Sequence, residues 1–425
     1  MGEIPAINKV KKFSTPDYEI NYLDNGIPCY ILKIDDPDII KMEIIYDAGR
    51  IYEKYRALAK STASLLKEGT SNMSSSKIAE TIDYYGASIS TGANMDTSVI
   101  QLYALGKYFD NLIPVIHEIV TEAVFPEDEI EKFKRRNIDS LKIELSKNEV
   151  LAYRHFTEKI FGKDHPYGYN TTKEDYLNIS REKLLDHFHS FFIPDNMKIF
   201  LTGKIDKEKL DILNKTFGLI PVNTNDHKNK IIPVANSQTG KFKYENKRIH
   251  QTSIRIGKRL FNRTHPDYPG MYFLNTILGG YFGSRLSENI REDKGYTYGI
   301  YSTIDMMLKD GYFMISTDVG NEYLDNTLKE IYKEIDLLRT TPVSEEEMQL
   351  VKNYIKGNFL SMVNGPLHSI NLIKTIQLSG LNNNFFPDFL REIDNIDTKQ
   401  VMNFAKKYLD PDSFTEVLVG HNINA

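Results

Sequence analysis

Tryptophan is missing from this chain, and cysteine occurs once, at Cys29. A single thiol builds neither a disulfide framework nor a thiolate metal site. Cys29 is expected to be a small buried strand residue rather than a nucleophile, and a reducing compartment is permitted. No apolar run is long enough to span a bilayer. The opening residues, MGEIPAINKVKKF, lack the apolar middle of a signal peptide. The expected location is therefore cytoplasmic, with no membrane partner. An excess of one charge is also missing: 53 Lys and Arg against 58 Asp and Glu leave a formal net charge of -5. That balance points to no nucleic-acid partner and no acidic tail. There is no Gly-x-Ser-x-Gly elbow and no Cys/His nucleophile pair. His187 and His189 are two apart in an expected helix and face different ways, while His155 and His165 flank an expected helix end. Zinc needs three or four converging ligands, and these four do not supply them.

What the chain does have is length and internal likeness. Its 425 residues, 41% hydrophobic and 26% charged, imply an ordinary globular protein of two or more domains. The stretch 222–247, rich in Asn, Lys, Gly and Ser, is expected to be a linker between domains at 1–221 and 248–425. The two parts resemble each other. NISREKLLDHFHSFFIPDNMKIFLTG (178–203) aligns with NIDTKQVMNFAKKYLDPDSFTEVLVG (395–420) without a gap. Pro194 and Pro411 lie 217 apart (411 − 194), as do Gly203 and Gly420 (420 − 203). The run 108–133 parallels 323–351 at a similar offset, each with a helix, a Pro-led restart and a second helix with acids in its first turn. This is an internal duplication of about 210 residues, and two copies make paired domains rather than a solenoid.

Period-2 apolar runs predict strands at 28–34, 41–49, 97–105, 250–257, 296–304 and 311–320. Long helices are predicted at 126–146, 148–161 and 343–360. Strands arrive in adjacent pairs and helices in runs, which favours an α+β fold of two homologous domains, each an antiparallel sheet covered by helices.

Two segments could carry chemistry. In ALAKSTASLLKEGT (57–70), an amphipathic helix closed by Gly69, the middle holds only small residues and Lys60. In LGGYFGSRLSENIREDKGYTYGIYS (278–302), glycines lead into a helix from about Ser284, Gly295 caps it, and a strand is expected from Tyr296. The Lys-Ser/Thr of a phosphate loop is missing. Arg291 and Tyr298 could reach one cavity, a planar fork of donors and a phenol able to hold a carbonyl or an oxyanion. Spacing alone favours instead a solvated Arg and a packed strand Tyr.

Together these segments resemble the pitrilysin / mitochondrial processing peptidase family of inverzincin metallopeptidases. The likeness runs over about residues 25–420, including SKIAETIDYYGASIS, HPYGYNTTKEDYLNIS and SRLSENIREDKGYTYGIYS. It implies that 57–70 matches the family's zinc helix, with the His-x-x-Glu-His positions on Lys60, Ala63 and Ser64. The third ligand position would fall near Ser140 or Leu141, with Glu144 one turn away. By this resemblance the chain holds no metal of its own. Ser90-Thr91 stand where the family's substrate-pairing edge strand has Asn-Ala. Arg291 and Tyr298, seven apart, match the Arg and Tyr with which the family binds substrate and steadies the transition state. The resemblance therefore implies a non-zinc subunit of a heterodimeric zinc endopeptidase acting on peptides. A homologous partner subunit would bring the zinc and the general base. The alternative is a non-catalytic scaffold or peptide-binding homologue, as a homodimer.

Overall fold

Strands that are apolar on both faces need a cover on both sides, and each half of this chain contains such strands. The computed structural model describes residues 13–34, 38–222, 233–246, 251–363 and 365–421. In the N-terminal half the strands are β1 (Glu19–Tyr22), β2 (Pro28–Lys33), β3 (Ile39–Tyr46), β4 (Ser88–Ala93), β5 (Ser98–Leu105) and β6 (Met197–Gly203). Its helices are α1 (Leu58–Leu65), α2 (Ser75–Tyr84), α3 (Phe109–Thr121), α4 (Glu127–Glu144), α5 (Asn148–Phe161), α6 (Lys173–Leu177), α7 (Arg181–Phe191) and α8 (Lys207–Thr216). The C-terminal half has β7 (Gly240–Glu245), β8 (Gln251–Leu260), β9 (Ile300–Met306), β10 (Gly311–Gly320) and β11 (Thr415–Gly420). Its helices are α9 (Tyr268–Gly279), α10 (Leu324–Thr340), α11 (Glu345–Met362), α12 (Pro366–Ser379), α13 (Phe385–Asn395) and α14 (Thr398–Tyr408).

The sheets run β1-β2-β6-β3-β5-β4 and β7-β11-β8-β10-β9. Leaving out β1, the second order repeats the first, strand for strand. The duplication is thus visible in the topology as well as in the sequence. One expectation needs correction: the sheets are not wholly antiparallel. β2 pairs parallel with β6, Cys29 opposite Ile199, and β7 pairs parallel with β11. The last strand of each half returns from α7 or α14 and inserts antiparallel beside β3 or β8. Its other edge then meets β2 or β7 in the same direction, which a long helical crossover allows. β7 itself lies inside the stretch read as a linker. Its alternation was present there, since Phe242 and Tyr244 pack on one face while Lys241 and Lys243 take the other.

Each sheet buries one face under its own helices. Cys29, Ile31, Met42, Ile44, Ile199 and Leu201 join the N-terminal core, and Ile254, Ile256, Phe313, Ile315 and Leu418 the C-terminal one. Cys29 is fully buried, and desolvation pushes its thiol up to about 12, so it is an inert packing residue.

The opposite faces are covered reciprocally. Ala152, Phe156, Ile160 and Phe161 of α5 pack on Tyr312, Met314, Val417 and Val419 of the second sheet. Ile370 and Ile373 of α12 pack on Tyr30, Leu32, Ile45 and Phe200 of the first. The two helices are equivalent in the repeat: 366 − 148 and 379 − 161 both give 218. Each half therefore lends the other a roof. A fully buried Ile or Phe contributes about 1.5–3 kcal/mol, so the exchange joins the halves strongly. α12 is apolar on two sides, because Leu372 and Ile376 face its own core.

Candidate functional site

α1 starts under unusual constraint. Ala57 at its N-cap has φ of 65°, a left-handed conformation rare for alanine. The Ala59 N–H donates to Glu53 Oε2 at 2.9 Å, so a side chain from outside the helix caps its first turn. Lys60 donates from Nζ to the Tyr176 hydroxyl at 3.2 Å. Ala63 is fully buried and Ser64 half-buried. Leu141 points into the core, while Ser140 is exposed and donates to Glu144 Oε1 at 3.2 Å. An ammonium, a methyl and a hydroxyl do not make a zinc site, and no group of three metal-ligating side chains occurs among the described residues. His187 is buried beside the Ala48 carbonyl at 3.4 Å, whereas His189 is exposed.

The second segment departs from its expected shape. The helix from Ser284 becomes a π-helix over Ser287–Asp293, a form that widens the turn and recurs at functional sites. Gly295 has φ of +64° and closes it as expected. The strand does not begin at Tyr296 but at Ile300. Thr297 is the reason. Its Oγ1 donates to the Asp318 carbonyl at 2.8 Å and accepts from the Gly299 N–H at 3.2 Å. A side chain that takes up local backbone groups in this way competes with the ladder. Residues 296–299 are therefore irregular, and strand alternation does not set the directions of Tyr296 and Tyr298.

Arg291 is two-thirds buried and lines a cavity of about 650 Å³. Its guanidinium lies 4.3 Å from the Phe282 ring centre and 3.4 Å from Glu292. The wall also includes Tyr281, Tyr301, Tyr312 and, from the N-terminal half, Tyr153. Gly279 lets α9 approach β9 here, since a Cβ would stand 2.5 Å from the Ser302 nitrogen. Tyr298 does not line the cavity; it is 94% exposed, although its neighbour Gly299 is part of the wall. The packed-Tyr alternative is thus excluded, and the pair is split between cavity wall and rim.

A half-buried polar network that the sequence reading missed also lines this cavity. Tyr312 donates to Asp305 Oδ2 at 2.8 Å, and its oxygen lies 3.1 Å from that of Tyr153. Burial pushes both phenols upward, so they remain neutral donors. Nothing local marks Tyr153 in the sequence, because its role depends on α5 lying across the other half. Nearby, Asp96 accepts from the Tyr167 hydroxyl and from the Leu308 N–H at 2.9 Å, tying the β4–β5 loop to the β9–β10 loop.

Comparison with known proteins agrees with the family resemblance. Residues 178–355 match the Peptidase M16 inactive domain. The chain is similar to an uncharacterized zinc protease, YmxG, of Bacillus subtilis, 22% identical over 69% of this chain and 71% of that protein. It is also similar to the non-peptidase homolog YmxG of Helicobacter pylori, 22% identical over 86% and 84%. Among solved structures, a peptidase M16 inactive domain from Pseudomonas fluorescens superposes with a TM-score of 0.86, covering 96% of this chain and 99% of the other at 22% identity. Among the described residues no helix is long and apolar enough to cross a membrane.

Proposed function

We propose that this chain, which carries a peptidase M16 inactive domain, is the metal-free subunit of a two-chain zinc endopeptidase acting on peptides or unfolded polypeptides. A homologous partner would bring the zinc, and with it an activated water. This chain would bring Arg291 and Tyr298. The observation that carries the reading is the disposition of that pair. Arg291 lines a cavity and, among the described residues, has Glu292 as its ionic neighbour, and Tyr298, next in sequence to the wall residue Gly299, holds its phenol in solvent. A Tyr with almost its whole side chain exposed has no packing role, which supports a role for its hydroxyl as a donor to bound substrate. Arg291 would hold the scissile carbonyl and Tyr298 would add a second donor as negative charge develops on that oxygen. The Phe282 ring, 4.3 Å from the guanidinium, gives it a cation–π contact at the wall.

The test is reconstitution. The purified chain is mixed with a homologue bearing an intact His-x-x-Glu-His motif, and cleavage of an unfolded peptide is followed. Loss of one oxyanion donor lowers kcat about 10²–10³-fold, so Arg291→Ala should fall in that range and Tyr298→Phe should fall clearly. Wild-type rates in both variants would remove the role. Assembly without cleavage by any such mixture would favour the second reading, a non-catalytic homologue, which the name of the Helicobacter relative suggests.

A further inference from the structure

A second cavity, of about 340 Å³, lies among the helices of the C-terminal half. It shares no wall residue with the Arg291 cavity. Tyr268 and Tyr272 of α9, Phe359 of α11 and Phe386 of α13 form its aromatic walls. These rings are fixed from behind: Phe389 stacks on Phe359 at 5.1 Å and meets Tyr272 edge-on at 5.3 Å. Polar groups converge from two other directions. Arg263 enters from the connection between β8 and α9, and His368, Asn371 and Thr375 line one face of α12.

The charge balance inside is one-sided, because no Asp or Glu among the described residues lines the cavity. The arginines of this half that form ion pairs include Arg259, Arg285, Arg339 and Arg391, but not Arg263. Its Nε is shut off from solvent without a hydrogen-bond partner. The guanidinium is 5.8 Å from the Tyr268 ring centre and also hydrogen-bonds the Tyr268 side chain, which holds it at the cavity wall. Aromatic walls with a few convergent polar groups and a volume near the lower end of the ligand-pocket range describe a small-molecule site.

We propose that this cavity binds a small aromatic carboxylate. The carboxylate accepts from the Arg263 guanidinium, and the ring lies among Tyr268, Tyr272, Phe359 and Phe386. With no acidic wall residue, an ammonium on the same molecule is unfavourable, so a free aromatic amino acid is a poorer ligand than its deaminated analogue.

The probe is 3-phenylpropionate, titrated calorimetrically into the full chain against the neutral 3-phenylpropanamide. One equivalent of the acid should bind, about tenfold or more tighter than the amide, and tighter than phenylalanine. Arg263→Gln should bring the acid down to the amide's affinity. Thr375→Trp, which fills the cavity from α12 and leaves the Arg263 side chain unchanged, should abolish binding of both. Circular dichroism checks folding. If Arg263→Gln does not fold, the acid–amide contrast and Thr375→Trp decide. Equal affinity for acid and amide, undiminished acid binding in Arg263→Gln or Thr375→Trp, or no heat from the acid at millimolar concentration would each overturn the proposal.

Discussion

Lys374, on α12 of the C-terminal half, donates to Glu43 Oε1, on β3 of the N-terminal half, at 2.9 Å. Glu43 is almost fully buried, with Lys41 at 3.2 Å and the Gln101 amide also at 3.2 Å. Removing one partner of a buried carboxylate costs more than the pair contributes, since the remaining charge is left short of donors. Lys41 stays in place, so Lys374→Met should cost about 1–3 kcal/mol in chemical denaturation. Combined with Glu43→Gln, the loss should be smaller than the sum of the two single losses.

Phe156 of α5 is fully buried against the opposite sheet. Phe156→Ala should cost about 3–5 kcal/mol. Because this helix roofs the other half, calorimetry should show one transition moving down as a whole. A split into two transitions, one unchanged, would mean that the halves unfold independently.

Gly279→Val tests the approach of α9 to β9, where a Cβ would stand 2.5 Å from the Ser302 nitrogen. Backbone cannot step aside as a flexible side chain does. The expected loss is about 1–3 kcal/mol, with Arg291-dependent cleavage weakened alongside stability, since Gly279 and Gly280 are part of the same cavity wall.

His165 is buried and accepts from the Tyr167 N–H at Nδ1, at 3.1 Å. Desolvation first, then the positive charges of Arg259 and Arg50, bring it down from 6.5 to about 4. A depressed imidazole is neutral when folded. Its contribution is fully present above pH 6.5 and is lost as pH falls towards about 4. Urea midpoints of the wild type should fall across that window, and His165→Asn, which keeps an acceptor without titrating, should flatten the fall.

Zinc follows from the side chains of α1. The dialysed wild type should retain no stoichiometric zinc by atomic emission. Lys60→His with Ser64→His places two imidazoles one turn apart, still one short of the three ligands a zinc site needs, so the double variant should also lose its zinc on dialysis and, with no base at Ala63, should not hydrolyse peptide. Stoichiometric zinc in the unaltered chain would contradict the account.

The sequence disclosed what repeats and what is local. The match of 178–203 with 395–420 foretold that α7–β6 and α14–β11 are the same unit. The predicted helix 148–161 coincides with α5, because apolar spacing and length settle it without tertiary help. Its destination was not legible, since the stripe of Ala152, Phe156 and Ile160 is equally apolar toward any sheet. The strand start at Ile300 was missed because Thr297 diverts the backbone through contacts with Asp318, 21 residues onward. Arg291 and Tyr298 were legible as a spaced pair, but the exposure of Tyr298 depends on that diversion.

The crossed roofs of α5 and α12 have a consequence for the chain's origin and for its dissection. Two polypeptides divided ahead of Gly240 would each leave one side of a sheet bare, its Val, Ile and Phe rows open to water, and each would carry a surplus helix shaped for its sibling. Such fragments should aggregate singly yet recombine when co-expressed. The same geometry is what a swapped pair of single-copy ancestors would have possessed before their genes were fused.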